Sequence, residues 1–243
     1  MSRTTIIVGA VAALVVVLAG VAWSLGYFSD APEEATISAA AEAVSDDGAA
    51  DDDASAGPAA DGQPVDDISG TWTVQANEEV TFVGYRINEV LSSVGDFTVV
   101  GRTPEVTGTM EADGTSVTAV DLVAQMDTLS TDRSGRDRAM RSQALETSEF
   151  PEATFMLTSP IDVGEVPAEG ETISVTATGD LTIHGVTQSV DFPLDAQLVG
   201  DIIVVVGQLE VLLADFGINA PSAPAVVSVE EMAILELSVA FGR

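Results

Sequence analysis

From Val186 to Leu198 the chain alternates. Its even positions read Val186, Gln188, Val190, Phe192, Leu194, Ala196 and Leu198; its odd positions read Thr187, Ser189, Asp191, Pro193, Asp195 and Gln197. Period two describes a strand with one apolar and one wet face. A second run, Thr172 to Ile183, precedes it, and only His184-Gly185 lies between them. A two-residue loop with Gly second predicts a hairpin, because tight primed turns need positive φ. Further strands are predicted over Trp72–Val74, Val80–Ile87, Phe97–Val100, Val106–Met110, Val117–Met126, Thr154–Thr158, Ile202–Leu213 and Val226–Phe241. Turn residues punctuate them at Asp113-Gly114, Pro167, Gly200-Asp201 and Gly207. One helical signal runs from Asp132 to Glu146, with Ser130 or Asp132 as cap and Ala139, Met140, Ala144 and Leu145 as a modest apolar face. Strands at near-regular spacing with one crossover helix predict an all-β antiparallel barrel or sandwich.

The pattern changes towards the N-terminus. Ile6 to Leu25 is an uncharged run of mostly Ile, Val, Ala, Leu and Gly, long enough as a helix to span a bilayer core of about 30 Å. Arg3 precedes it and Trp23 and Tyr27 lie at its far end. Basic flanks stay cytoplasmic, so the rest of the chain is expected outside, on a single-pass anchor in the cell membrane. A cleaved signal peptide is the alternative, with small residues at Gly20-Val21-Ala22. Ser29 to Asp67 is acidic, has no aromatic residue and no basic one, and reads as a disordered linker. The organisation expected is therefore an anchor over residues 1–28, an acidic linker over 29–67 and a barrel domain over 68–243.

Charge and composition remove several functions. The net charge is −31, from 39 acidic and 8 basic residues, and all the basic ones are Arg. Such a balance repels nucleic-acid phosphates. There is no Cys and one His, which excludes disulfides, Cys-based metal sites and a His-rich metal site within one chain. No cofactor is implied. His184 sits in a tight turn with no nucleophile beside it, and no G-x-S-x-G, phosphate-cradling glycine loop or H-E-x-x-H is present. Asp191, Asp195 and Glu236 fall on wet strand faces and read as solubilising charges. Nothing in the sequence supports an enzyme.

Binding is the other class. Val120, Leu122, Ala124 and Met126 share one strand face, and Leu235, Leu237, Val239 and Phe241 another. Alternation alone leaves two readings open, a barrel filled by its own side chains and one with room for a ligand. Arg133, Arg136, Arg138 and Arg141 hold four of the eight positive charges within nine residues. They read either as local partners of Asp132, Asp137 and Glu146, or as a rim for phosphate or an anionic lipid surface.

An ordered set of motifs narrows the choice. Gly179-Asp-Leu-Thr-Ile-His-Gly-Val-Thr187 forms the hairpin, Arg136-Asp137 lies on the crossover, Phe150-Pro151 leads to Phe155, Val106-Thr107-Gly108 lies upstream, and Asp215-Phe216-Gly217-Ile218 comes late. This set resembles the YceI-like family over roughly Ile68 to Arg243, with Arg86 near the place of a histidine common in that family. The resemblance is to a membrane-anchored, actinobacterial-type member. It implies one lipocalin-like barrel of about eight strands enclosing a long apolar channel for an isoprenoid-type lipid, with a membrane as second partner. Channel-lining residues are then expected at Phe82, Val120, Leu122, Met126, Met140, Leu145, Phe155, Val190, Phe192, Leu194, Leu235 and Leu237. The head-group rim is expected at Arg133, Arg136, Arg138 and Arg141. Methionines such as Met126, Met140 and Met156 suit a flexible chain. A packed barrel acting as a surface interaction module is the competing expectation, and pairing of two barrels into a homodimer is left open.

Overall fold

The computed structural model describes residues 31–50, 67–92, 95–221 and 226–243; the apolar run at 6–25 and most of the acidic linker lie outside them. The described elements begin with helix α1 (Ile37–Ala50), followed by β1 (Gly70–Val74), β2 (Phe82–Leu91), β3 (Gly95–Thr103), β4 (Val106–Asp113) and β5 (Ser116–Gln125). The crossover follows, as α2 (Ser134–Ala139) running into a π-helical turn (Met140–Ala144). Next come β6 (Glu152–Leu157), β7 (Ile161–Asp162), β8 (Thr172–Ile183), β9 (Val186–Val199) and β10 (Ile202–Leu212). A 3-10 turn (Leu213–Phe216), β11 (Val226–Val229) and β12 (Met232–Gly242) complete the chain.

The strands close antiparallel in the order β1, β4, β5, β6, β8, β9, β10, β12, and β12 returns to β1 through Thr73↔Gly242 and Val74↔Phe241. The first part of β12 pairs instead with β2, from Ile234↔Arg86 to Ser238↔Phe82, and β2 pairs with β3. Thus β1 and β2 share one place beside β12, and β3 runs on into β4 past Pro104. The result is an eight-position barrel, the all-β architecture expected.

The β8–β9 hairpin has the predicted register, ending at Ile183↔Val186. His184 (φ 52°) and Gly185 (φ 71°) are both left-handed, as a type I′ turn requires. Glycine is needed at 185 for a second reason: a Cβ there would lie 2.5 Å from the Phe150 ring. His184 is tied down on both sides, with Nε2 3.0 Å from Glu146 Oε2 and Nδ1 3.3 Å from the Phe216 carbonyl oxygen. Its ring meets the Phe150 ring edge-on at 4.8 Å between centroids. The turn is thereby fastened to the end of the crossover and to the 3-10 turn.

Four local expectations are corrected. The single strand expected over Val226–Phe241 breaks at Glu230-Glu231, where Glu230 N–H donates to Asn88 O and Glu231 O accepts from Leu213 N–H. Gly207 is not a turn residue but lies inside β10, opposite Leu194. The crossover helix is shorter than predicted, and neither Ser130 nor Asp132 caps it. Instead Asp137 accepts from Thr131 N–H at 2.8 Å and from the Thr131 hydroxyl at 2.7 Å.

The fourth correction concerns the linker. Part of the segment expected to be disordered forms α1. Ala40 packs against Val80, Val204, Val206 and Ala240 on the outer face of the barrel, with Ile37, Ala43 and Val44 alongside. The cause is two matched apolar surfaces. Ile37, Ala40, Ala41 and Val44 follow helical spacing, and Val204 and Val206 of β10 and Ala240 of β12 form an apolar patch on the outer face. Among the described residues no helix is long and apolar enough to cross a membrane.

Candidate functional site

The barrel encloses a cavity of about 440 Å³ whose walls come from the inward-facing alternate positions of its strands. Val120, Leu122 and Met126 face it from β5 and just beyond, Phe155 from β6, Phe192 and Leu194 from β9, and Leu235 and Leu237 from β12. Met140 and Leu145 close over it from the crossover. The structure therefore brings together ten of the twelve apolar residues singled out in the sequence. Phe82 and Val190 are corrections. Phe82 is on the outer face, under the Arg102 guanidinium at 4.1 Å. Val190 packs into the core beside Gly179, over which the Phe155 ring lies, and is not part of the lining. Met156 points outward and is 56% exposed, so it does not serve the cavity.

Three wall positions without side chains keep the interior open. Tyr85 lies against Gly101, where a Cβ would come within 2.5 Å of its ring. Phe155 lies against Gly179 at 2.4 Å on the same measure, and Phe192 and Leu194 lie against Gly207 at 2.9 and 2.5 Å. In each case a large side chain leans on the wall instead of standing across the lumen, which is what a strand glycine permits. The far end is sealed. Trp72 is 2% exposed, its Nε1 donates to Ile68 O, and the Arg243 guanidinium covers its ring at 4.3 Å.

The crossover end is polar. Arg133 and Arg136 reach the cavity lining; Arg138 is exposed and Arg141 donates to Asp127 O at 2.9 Å. Arg136 is held between two carboxylates, pairing with Glu89 at 2.8 Å and with Asp132. It also sits 5.6 Å from the Phe97 ring centroid. The four arginines thus do not act as one cationic rim. Tyr85, absent from the sequence-based site, lines the cavity near this cluster. Burial pushes its phenol well above the ordinary value of 10.0; Arg136 opposes the shift, and Asp137, Glu89 and Asp132 reinforce it. Its signal was available, since Tyr85 alternates with Val83 and Ile87 on one face of β2.

Glu236 overturns its reading as a solubilising charge. It is 1% exposed and accepts from Arg86 and from Arg102, the latter at 2.9 Å. Arg102 reaches it by crossing Gly84, where a Cβ would lie 2.8 Å from Arg102 Cγ and 2.3 Å from Gly101 O. Arg102 Nη2 also donates to Glu33 O at 2.7 Å, so the segment before α1 helps to roof the cluster. Asp191 and Asp195 are exposed as expected, accepting from Thr178 and Ser174. Among the described residues there is no cluster of three or more His, Asp or Glu able to hold a metal. The arrangement can enclose an apolar molecule.

With this geometry in hand, the class is a ligand-sized β-barrel closed at one end by packing and at the other by a crossover. Residues 72–241 match the YceI-like domain, and the chain belongs to the YceI-like family. It is 31% identical over 157 residues to a UPF0312 protein of Shewanella sp. (strain MR-4), an alignment covering 60% of this chain and 78% of the other. A UPF0312 protein of Vibrio campbellii is 28% identical over 155 residues, covering 59% and 77%. Among solved structures, a polyisoprenoid-binding domain from Saccharophagus degradans superposes with a TM-score of 0.55 at 18% identity, covering 70% of this chain and 97% of that one. BcnA of Burkholderia cenocepacia gives 0.52 at 15% identity, covering 69% and 98%. At these identities the superpositions establish a shared fold.

Proposed function

We propose that the barrel binds and carries an isoprenoid-type lipid at the outer face of the cytoplasmic membrane. The observation that carries this reading is the cavity. Its 440 Å³ falls within the range of small-molecule sites, about 300–1,000 Å³, and its walls are almost wholly aliphatic and aromatic. An all-hydrocarbon chain needs burial and no fixed hydrogen bonds, which is what Val120, Leu122, Met126, Phe192 and Leu237 offer. Family membership and the fold shared with a polyisoprenoid-binding domain support the ligand class. The location rests on the sequence: an apolar run at Ile6–Leu25 behind Arg3, which would tether the barrel to the bilayer from which such a lipid is taken. The exposed Arg138 would meet the lipid surface there.

Organic extraction of the full-length chain, followed by mass spectrometry, tests the reading. A prenyl-chain lipid near one per chain is expected. No such lipid, together with no uptake of a fluorescent prenyl lipid from donor vesicles, would leave the packed interaction module instead. Mass spectrometry of the native N-terminus tests the anchor; a mature chain beginning at Trp23 would replace it with a cleaved leader.

A further inference from the structure

We infer that the cavity selects a chain ending in an uncharged, hydrogen-bond-accepting oxygen, with Tyr85 as the donor, and that it discriminates against a phosphorylated end. This rests on the lipid-binding reading above and adds the chemistry of the ligand's polar terminus.

The first observation is the unused hydroxyl. Tyr85 lies on the inward face of β2 and lines the cavity. No hydrogen bond to a described residue uses its hydroxyl. Nor is any side-chain polar atom among the described residues both fully enclosed and unbonded. The hydroxyl therefore keeps accessible surface, on a residue that lines the cavity. A phenol this strongly desolvated stays protonated, and so stays a donor, across the physiological range. An apolar cavity with an unspent donor in its wall rewards a ligand that brings an acceptor.

The second observation is how the neighbouring charges are disposed. A phosphate would need guanidinium groups free to fork onto it. Arg136 is already bridged by Glu89 and Asp132. Arg141 is turned to the Asp127 carbonyl and is not in the lining. Three carboxylates, those of Asp137, Glu89 and Asp132, act on Tyr85 against one guanidinium, that of Arg136. A phosphorylated end would displace a carboxylate from Arg136 or lie beside it as a like charge, besides losing its own hydration. An alcohol or carbonyl oxygen meets neither cost.

The experiment uses the full-length chain in phosphatidylcholine nanodiscs loaded with a pyrene-tagged isoprenoid hydrocarbon. Geranylgeraniol, geranylgeranyl phosphate and squalene serve as competitors. The alcohol should displace the probe at least about tenfold more effectively than the phosphate. Tyr85→Phe should reduce the alcohol-to-squalene affinity ratio by about three- to tenfold, the worth of one hydrogen bond. Glu89→Gln with Asp132→Asn should improve the phosphate selectively, and this arm stands even if Tyr85→Phe fails to fold. A phosphate that competes as well as the alcohol, or an unchanged ratio in Tyr85→Phe, overturns the inference while lipid binding stands. If neither probe nor squalene binds, the lipid-binding reading itself has failed.

Discussion

Replacing Glu236 by Gln should destabilise the barrel more than most single changes on its surface side. The Glu236 side chain is 0% exposed and answers two cations, Arg86 at 8% and Arg102 at 25% side-chain exposure. Removing one partner of a buried ion pair costs about 3–5 kcal/mol, because the remaining charge stays desolvated. Arg102 can turn towards water, so most of the cost falls on Arg86, and about 3 kcal/mol is expected. For a domain of this size that is roughly 6–12 °C in melting temperature. The assay is urea unfolding of the wild type, Glu236→Gln, Arg86→Met and the double variant. The double variant should lose less than the sum of the singles, since the two side chains interact directly. A Glu236→Gln midpoint within 1 kcal/mol of wild type, as set by the linear extrapolation, would refute the claim that this cluster is buried and coupled.

Gly185→Val should cost about 2 kcal/mol or more, since it combines strain at φ 71° with a clash against Phe150, and His184→Ala should cost less; calorimetric melts in the opposite order would refute the turn assignment. Phe192→Asp places a carboxylate in the apolar cavity and should lower both the melting temperature and lipid uptake in a vesicle-transfer assay. A fragment starting at Glu33 should melt above one starting at Ile68, because only the longer one covers Val80, Val204 and Val206; equal melts would mean α1 adds nothing. In the folded chain Tyr85 should resist ionisation through pH 10, while the unfolded phenol ionises there. Because the folded value is raised, stability from this group is present below pH 10 and lost as pH rises beyond it. Near-ultraviolet tyrosinate absorbance, read with and without urea, checks this.

The sequence carried the barrel because period-two alternation survives wherever one strand face is dry and the other wet. The β8–β9 hairpin, its His184-Gly185 turn and the apolar walls from β5, β9 and β12 were legible on that basis. Alternation assigns faces but does not say what covers the outer one. That is why Glu236 looked solvated and Phe82 looked internal: the outer surface near them is roofed by Arg102 and the segment before α1. The α1 helix was masked by composition. Its stripe of Ile37, Ala40, Ala41 and Val44 was present, but small residues among acids read as a spacer until a matching apolar surface on β10 and β12 is known. Tyr85 and the wall glycines were missed for a different reason. Periodicity marks which side chains point inward, while the size of the lumen depends on how far each leans across it.

The three wall glycines are not equivalent as sites of future change. At Gly179 and Gly207 an added methyl would strike backbone carbonyl oxygens, those of Met156 and Pro193, at 2.5 and 2.6 Å. Those oxygens belong to neighbouring strands and cannot move without breaking the ladder. At Gly101 the nearest obstacles are side chains, the Tyr85 ring and the tip of Leu129. A single methyl there would swing the phenol towards the axis, narrowing the bore and re-aiming the Tyr85 hydroxyl. Gly101 is therefore the tunable point of this barrel: a substitution there changes its calibre and polar reach through side-chain movement, while one at Gly179 or Gly207 meets the strands behind them.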